Sequence, residues 1–118
     1  MSLTDFLQKI THNEEVSFAE TMSIIASYYD YQPAEFSNGL GEHKLINEAG
    51  SNEGSCKIFA FAKTHQLTAA QTLNLFGDFY RKDVLENAAG NNHQNIRNFI
   101  QFGWDGITLA QPVLTRNS

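Results

Sequence analysis

The sequence predicts a single α+β domain over residues 1–118, mainly helical, with four to five helices and a small antiparallel sheet. Three observations lead to this fold class. The chain of 118 residues is 42% hydrophobic and 12% aromatic, which is enough for one core. Three capping-box patterns precede apolar stripes with helical spacing. Short apolar segments between turn residues are too brief for helices and are typical of strands.

The first two helices are predicted from their start signals. Ser2 with Asp5 begins the first helix, and Ser17 with Glu20 forms a capping box for the second. The apolar stripes that follow are Leu3, Phe6, Leu7 and Ile10 in the first helix and Phe18, Met22, Ile25 and Tyr29 in the second. Both stripes recur every three or four residues, so each helix is expected to bury one face.

The sheet is predicted from three short segments. Pro33 ends any helix, and the stretch from Tyr31 to Asn52 is rich in turn residues. The apolar pieces around Phe36 and Leu45-Ile46 are expected to be two antiparallel strands. Ile107-Thr108-Leu109 alternates as a strand does and is expected to join them.

The third helix is predicted to be the central one, and a fourth helix follows it. Ser51 or Asn52 begins the third, which is apolar on most sides and carries Cys56 as a small core residue. Thr68 with Gln71 begins the fourth, whose stripe continues past Gly77 to Val84. A glycine inside a helix is unfavourable, so Gly77 indicates the close approach of another backbone segment.

The last helix follows a run of amide side chains from Asn91 to Phe99. Ile96, Phe99 and Ile100 are predicted on its core face, and Gly103 is predicted to cap its C-terminus. Asparagine is a poor helix former, so this density of amides needs either hydrogen bonds that tie loops together or a polar cleft.

Charge and composition exclude several classes of function. A net charge of −5 opposes nucleic-acid binding, which needs clustered cations. One cysteine cannot form an internal disulfide, and the scattered histidines with one thiol predict no structural metal. No apolar run is long enough to cross a membrane, and the N-terminal residues lack a cleavable signal peptide. We therefore expect the protein in the cytoplasm of the cell that makes it, with secretion by a route that does not read such a signal left open. No cofactor is expected.

The candidate ligand-binding residues form a polar cluster around the starts of the third and last helices. They are Arg81, His93, Asn95, Arg97 and Asn98, with Ser55 and Lys57. The glycines before Ser55 do not match a phosphate-binding loop, because the Gly-Lys-Ser/Thr order is absent. Arg81 and Arg97 would form an anion clamp if their helices lie side by side. The alternative is structural, with surface ion pairs and hydrogen bonds to loop backbone.

Several ordered motifs resemble the HopJ type III effector family. They are Phe36-Ser37-Asn38-Gly39, Asn47-Glu48-Ala49-Gly50, Gly54-Ser55-Cys56-Lys57-Ile58-Phe59, Phe76-Gly77-Asp78-Phe79-Tyr80-Arg81 and His93-Gln94-Asn95-Ile96-Arg97-Asn98-Phe99. The resemblance covers nearly the whole chain and implies a bacterial effector-like domain. Family members look like virulence proteins that a type III system delivers into host cells, although similar proteins occur in bacteria without that lifestyle. The resemblance brings no catalytic residues.

Two functions remain open from the sequence. The leading hypothesis is a non-enzymatic module that binds a host or bacterial protein, or a small polar ligand, through a cleft lined by the third and last helices. The alternative is a small enzyme in which His93, Arg97, Arg81 and Asn95 surround an anionic substrate. For the amide run itself we favour architecture first, as a polar connection between the loop from Gly50 to Ser55 and the last helix.

Overall fold

The computed structural model describes residues 2–117 and confirms a mainly helical α+β fold. Within these residues the helices are α1 (Leu3–Thr11), α2 (Phe18–Tyr28), α3 (Glu53–Thr64), α4 (Ala69–Asn74), α5 (Asp78–Arg81) and α6 (Gln94–Phe102). The strands are β1 (Tyr29–Tyr31), β2 (Phe36–Asn38), β3 (Leu45–Asn47), β4 (Ile107–Leu109) and β5 (Leu114–Arg116).

The predicted capping residues begin three of the helices. The Ser2 hydroxyl accepts a hydrogen bond from the Asp5 amide at 3.1 Å at the start of α1. The capping boxes of α2 and α4 each have both reciprocal bonds. These bonds satisfy amides that a helix cannot pair internally, and for this reason the sequence locates the starts so closely.

The predicted three-stranded sheet is present, with the antiparallel order β3-β2-β4. In its register Phe36 lies between Asn47 and Leu109, and Asn38 lies between Leu45 and Ile107. Phe36 and Asn38 are buried, so the central strand turns both side chains toward the helices. The sheet therefore presents an asparagine, as well as apolar residues, to the protein interior.

A second antiparallel sheet pairs β1 with β5 and was not predicted. Tyr29 was expected to continue the apolar stripe of α2, but its extended backbone (φ −135°) ends that helix and begins β1. Arg116 pairs with Tyr29 in the register, and its guanidinium carbon lies 5.7 Å from the centre of the Tyr29 ring. A cation over a ring stabilises this edge of the fold.

Helix α3 is the centre of the core, as predicted. Its Phe59 is fully buried and packs against Phe36, Phe76, Phe99 and Trp104, with ring centres 5.1–6.4 Å apart. These rings come from the sheet, the segment after α4, α6 and the turn after α6, so one side chain joins most of the elements.

The predicted fourth helix is divided at Gly77, which brings the number of helices over residues 2–117 to six. Gly77 has φ +62°, and a Cβ at this position would lie 2.6 Å from the Phe18 backbone nitrogen. The close approach that was predicted is confirmed, and it requires a backbone conformation that breaks the helix. One prediction for the last helix is wrong: Ile100 is 47% exposed, because the core face of α6 is completed by Asn95 and Asn98.

Candidate functional site

Three buried asparagines form a connected amide network at the start of α6: Asn38, Asn47 and Asn95. The Asn95 side-chain oxygen accepts from Asn38 Nδ2 at 3.1 Å and from Asn47 Nδ2 at 3.2 Å. Asn95 Nδ2 donates to Asn47 Oδ1 at 2.9 Å, and Asn38 Nδ2 also donates to the Asn95 carbonyl at 2.8 Å. Buried amides are costly unless they are paired, and these hydrogen bonds offset that cost. The same bonds join β2, β3 and α6.

The network extends to the start of α3 through Asn52, whose Nδ2 donates to Asn47 Oδ1 at 2.7 Å. Asn52 was predicted as a possible capping residue for α3, but its backbone is left-handed (φ 52°) and its side chain does not cap the helix. The same amide therefore ties the Gly50–Ser55 loop to the network. This is the polar connection that the amide-rich run led us to expect.

Asn98 bonds to the connection between β2 and β3, beside the network. Its Nδ2 donates to the carbonyls of Asn38 and His43, both at 3.0 Å. A Cβ on Gly39 (φ +109°) would lie 2.7 Å from the His43 carbonyl oxygen and 3.0 Å from Asn98 Nδ2, so only glycine fits there. Asn98 thus fixes the connection between β2 and β3 rather than facing solvent.

A cavity of about 490 Å³ lies beside the network, between the starts of α3 and α6; we call it the α3–α6 cavity. Its apolar lining consists of Phe18, Leu45, Gly54, Phe76, Phe79 and Ile96. Its polar lining consists of Asn52, Ser55, His93, Gln94 and Asn95. The volume is in the range of small-molecule sites, which combine apolar walls with a few polar groups.

The aromatic wall of the cavity is fixed by two glycines. A Cβ on Gly54 would lie 2.8 Å from Cζ of Phe18, and Gly77 lies against the Phe18 backbone. The Phe18 and Phe79 rings meet edge to face with centres 5.0 Å apart, and the His93 ring lies 5.2 Å from Phe79. The backbone contact and positive φ require glycine at position 77, whereas a side chain at position 54 would push the Phe18 ring out of its place in this wall.

His93 stands at the rim of the cavity and immediately precedes α6. Its backbone is left-handed (φ 51°), and its side chain does not cap the helix. Its Nε2 lies 3.1 Å from Asp83 Oδ2 instead. Helices α3 and α6 thus differ from α1, α2 and α4, since no side chain caps their first turns.

Arg81 does not line the α3–α6 cavity and connects other segments of the chain. Its guanidinium donates to the Val16 carbonyl at 2.7 Å and to Asn74 Oδ1 at 2.9 Å. Its Nε also lies 3.7 Å from carboxylate oxygens of Glu15 and Asp78. Arg81 therefore joins the loop before α2 to helices α4 and α5.

Arg97 binds the loop that precedes α6. Its Nε donates to the Asn92 carbonyl at 2.6 Å, and its Nη2 donates to Asn92 Oδ1 at 2.7 Å. Lys57 does not line the cavity either, and its ammonium lies 4.7 Å from the centre of the Tyr31 ring. Arg81 and Arg97 share no hydrogen-bond partner among the described residues, and neither lines the α3–α6 cavity.

The structure thus brings Ser55, His93 and Asn95 of the predicted cluster to one cavity and places Arg81, Arg97, Asn98 and Lys57 elsewhere. That these residues bind a ligand stays a prediction. Sequence reasoning missed the aromatic wall, because it placed Phe18 and Phe76 in core stripes. Gly77 was the available signal, since its close contact is with the backbone of Phe18.

Cys56 does not line the α3–α6 cavity and packs in the core. It is 1% exposed, and burial raises the pKa of its thiol, so the nucleophilic thiolate is disfavoured. Among residues 2–117, no three His, Cys, Asp or Glu side chains are grouped as a metal site would require. No helix in this part of the chain is both long and apolar enough to cross a membrane.

Comparison with known proteins shows one family and one solved structure. The model of the HopJ type III effector protein family matches residues 3–114. The crystal structure of VPA0580, a protein of unknown function, is 44% identical and superimposes with a TM-score of 0.93. That match covers 99% of this chain and 95% of the other. The comparison with curated proteins gave no match.

Proposed function

The chain belongs to the HopJ type III effector protein family, and from this premise we propose that it is a non-enzymatic binding module whose α3–α6 cavity takes a small polar ligand. The observation that carries the proposal is the cavity itself. It lies between the third and last helices, has about 490 Å³ of space, and places polar side chains opposite an aromatic wall.

The surrounding structure supports a preformed site. The amide network fixes the starts of α3 and α6 relative to each other through Asn47, which bonds to both Asn52 and Asn95. A rigid site loses less entropy when a ligand binds, so a network of this kind favours affinity as well as stability. Two functions, support of the fold and positioning of the cavity, thus use the same side chains.

A binding role is favoured over the enzymatic alternative by the positions of the two arginines. An anionic substrate would need the guanidinium groups of Arg81 and Arg97 beside His93 and Asn95. Instead, Arg81 donates to the Val16 carbonyl and Arg97 to the Asn92 carbonyl. Charged groups held on backbone oxygens stabilise loops and are less available to a substrate.

A fragment screen by two-dimensional NMR tests the proposal. We expect hits that shift the amide signals of Gly54, Ser55 and Gln94 and that lose affinity at least about tenfold in Ser55→Phe, which places a bulky ring in the cavity. Ser23→Phe is the matched control, because Ser23 is exposed on α2 and does not line the cavity. Hits that bind Ser55→Phe as well as the wild type would contradict the proposal.

The family also supports a proposal about delivery, namely that the protein is a substrate of a type III secretion system. A translocation assay tests it, with an adenylate cyclase reporter fused after the last residue of the chain. We expect cyclic AMP in host cells exposed to a secretion-competent strain and none with a secretion-deficient strain. Equal signals from the two strains would contradict delivery by this route.

A further inference from the structure

We infer that the ligand of the α3–α6 cavity is a planar, uncharged heteroaromatic molecule with a carbonyl oxygen or ring N–H at its edge. This inference rests on the proposed function, which requires only that the cavity binds a small polar molecule. It adds the chemical class of the ligand, and it is argued from the charges, rings and polar groups of the lining.

The charges of the lining favour an uncharged ligand. Within the cavity lining, His93 is the sole residue with an ionisable side chain, and its Nε2 is already paired with Asp83 at 3.1 Å. Among residues 2–117, the Asp and Glu carboxylates and the Lys and Arg cations lie outside the lining. A ligand with a full charge would lose its hydration and meet no oppositely charged side chain in the lining. The partial negative charge of a carbonyl oxygen suits the free amides at the starts of α3 and α6 without that loss of hydration.

The rings of the lining favour a planar aromatic ligand. Phe79 meets Phe18 edge to face, with an angle of 77° between the rings, and meets His93 with an angle of 42°. Phe79 is nevertheless 40% exposed, so part of its surface is available for contact. Large exposed aromatic side chains at the mouth of a cavity provide stacking and edge contacts for another ring.

The polar groups of the lining favour a ligand with hydrogen-bonding atoms at its edge. The Ser55 hydroxyl can donate and accept a hydrogen bond, and the Gln94 side-chain oxygen can accept one while its Nε2 donates to the Asn91 carbonyl at 2.9 Å. They lie in the first turns of α3 and α6, whose amides are not capped by a side chain. A purely hydrocarbon ring offers the Ser55 hydroxyl and the Gln94 side-chain oxygen no hydrogen bond, whereas a lactam edge offers both a donor and an acceptor.

Four probes of similar size test the ligand class by the same NMR titration. They are quinolin-2-one, its saturated analogue octahydroquinolin-2-one, the anion quinoline-2-carboxylate and the cation 2-aminomethylquinoline. We expect quinolin-2-one to shift the amides of Ser55 and Gln94 and to bind at least about fivefold more tightly than the other three. Equal or tighter binding of the saturated lactam or of either ion would overturn the inference.

A pair of variants tests the role of the exposed ring. Phe79→Leu is expected to weaken quinolin-2-one about 2- to 10-fold while the affinity for the saturated lactam stays unchanged. Phe102→Leu is the control, since Phe102 also packs against a histidine, His43, with ring centres 5.9 Å apart, and does not line the cavity. Equal weakening by the two substitutions, or none by Phe79→Leu, would contradict the inference.

The two proposals fail in distinguishable ways. If an ion or the saturated lactam shifts the cavity amides and quinolin-2-one does not, the ligand class is wrong and the proposed binding function stands. If neither these probes nor the broader fragment screen shift the amides of Gly54, Ser55 and Gln94, the proposed function and the ligand class both fail.

Discussion

Replacement of Asn95 by alanine measures the energy of the amide network directly. The substitution removes three side-chain hydrogen bonds, of 2.9, 3.1 and 3.2 Å, from a residue that is 6% exposed. At about 1 kcal/mol for each bond, the loss is about 3 kcal/mol. Alanine has a better helix propensity than asparagine, and this difference offsets roughly 0.5 kcal/mol of the loss. The expected loss of unfolding free energy is therefore about 2–3 kcal/mol.

The remaining partners limit the loss to this range. Without the Asn95 side chain, Asn38 Nδ2 still donates to the carbonyl of residue 95, and Asn47 Oδ1 still accepts from Asn52. Only Asn47 Nδ2 is left with weak contacts, at 3.4 and 3.5 Å from carbonyl oxygens. The penalty for an unpaired buried donor thus applies to one group, and no buried charge is exposed or left unpaired.

Urea unfolding, followed by circular dichroism, is the assay. The midpoint is expected to fall while the m-value stays constant, because the same surface is exposed on unfolding. Asn91→Ala is the control, since Asn91 is exposed in the same amide-rich run, and its loss is expected to be under about 0.5 kcal/mol. A loss below about 1 kcal/mol in Asn95→Ala, or equal losses in both variants, would refute the structural role of the network.

Three further predictions follow from single contacts. Gly77→Ala is expected to lower the unfolding free energy, measured in urea, by about 2 kcal/mol or more. Gly50→Ala is the control, because Gly50 also has a positive φ but no atom within 4 Å of an added Cβ, and it is expected to lose about 1 kcal/mol. Equal losses would contradict the steric argument. Burial, with a smaller contribution from Arg116, lowers the pKa of His65 below 6.5, so the protein becomes less stable as the pH drops below that value. His65→Gln removes this titration and should flatten the dependence of the unfolding free energy on pH between about pH 7 and 5. An unchanged slope would contradict the assignment. Arg97→Ala is expected to increase amide hydrogen exchange in the loop before α6 and to leave α3 protected, and an unaltered loop would exclude the anchoring role.

The elements that the sequence located best are those with local signals. The pairs Ser17 with Glu20 and Thr68 with Gln71 act within one turn, so their capping bonds form wherever the helix packs. The hairpin formed by the segments around Phe36 and Leu45 was predicted from the turn residues between its strands. Local chemistry was sufficient for these elements.

The elements that were missed depend on contacts between distant segments. Strands β1 and β5 have three residues each and pair across more than eighty positions, so neither has a pattern of its own. The break at Gly77 depends on the backbone of Phe18, nearly sixty residues away. Ile100 is exposed because Asn95 and Asn98 take its expected place at the core, and an apolar stripe alone cannot show that amides will be buried.

Part of the candidate site was accessible from sequence for the same reason. His93, Asn95 and Ser55 lie at helix starts, which the sequence locates, and the structure brings these starts together at the α3–α6 cavity. The shortest hydrogen bonds of Arg81 and Arg97 go to the backbone carbonyls of Val16 and Asn92, and side-chain identity gives no indication of such partners. Long, flexible arginine side chains can bond to any loop that the fold places near them.

A crystal structure of the protein grown with saturating quinolin-2-one tests the central claim, that the α3–α6 cavity, whose helix starts are fixed by the amide network, binds a planar, uncharged heteroaromatic ligand. The account predicts the ring in the cavity against Phe79, with its lactam edge toward Ser55 and Gln94 and the bonds of Asn95 unchanged. A ring bound only at other surfaces, with the cavity unoccupied, would contradict it.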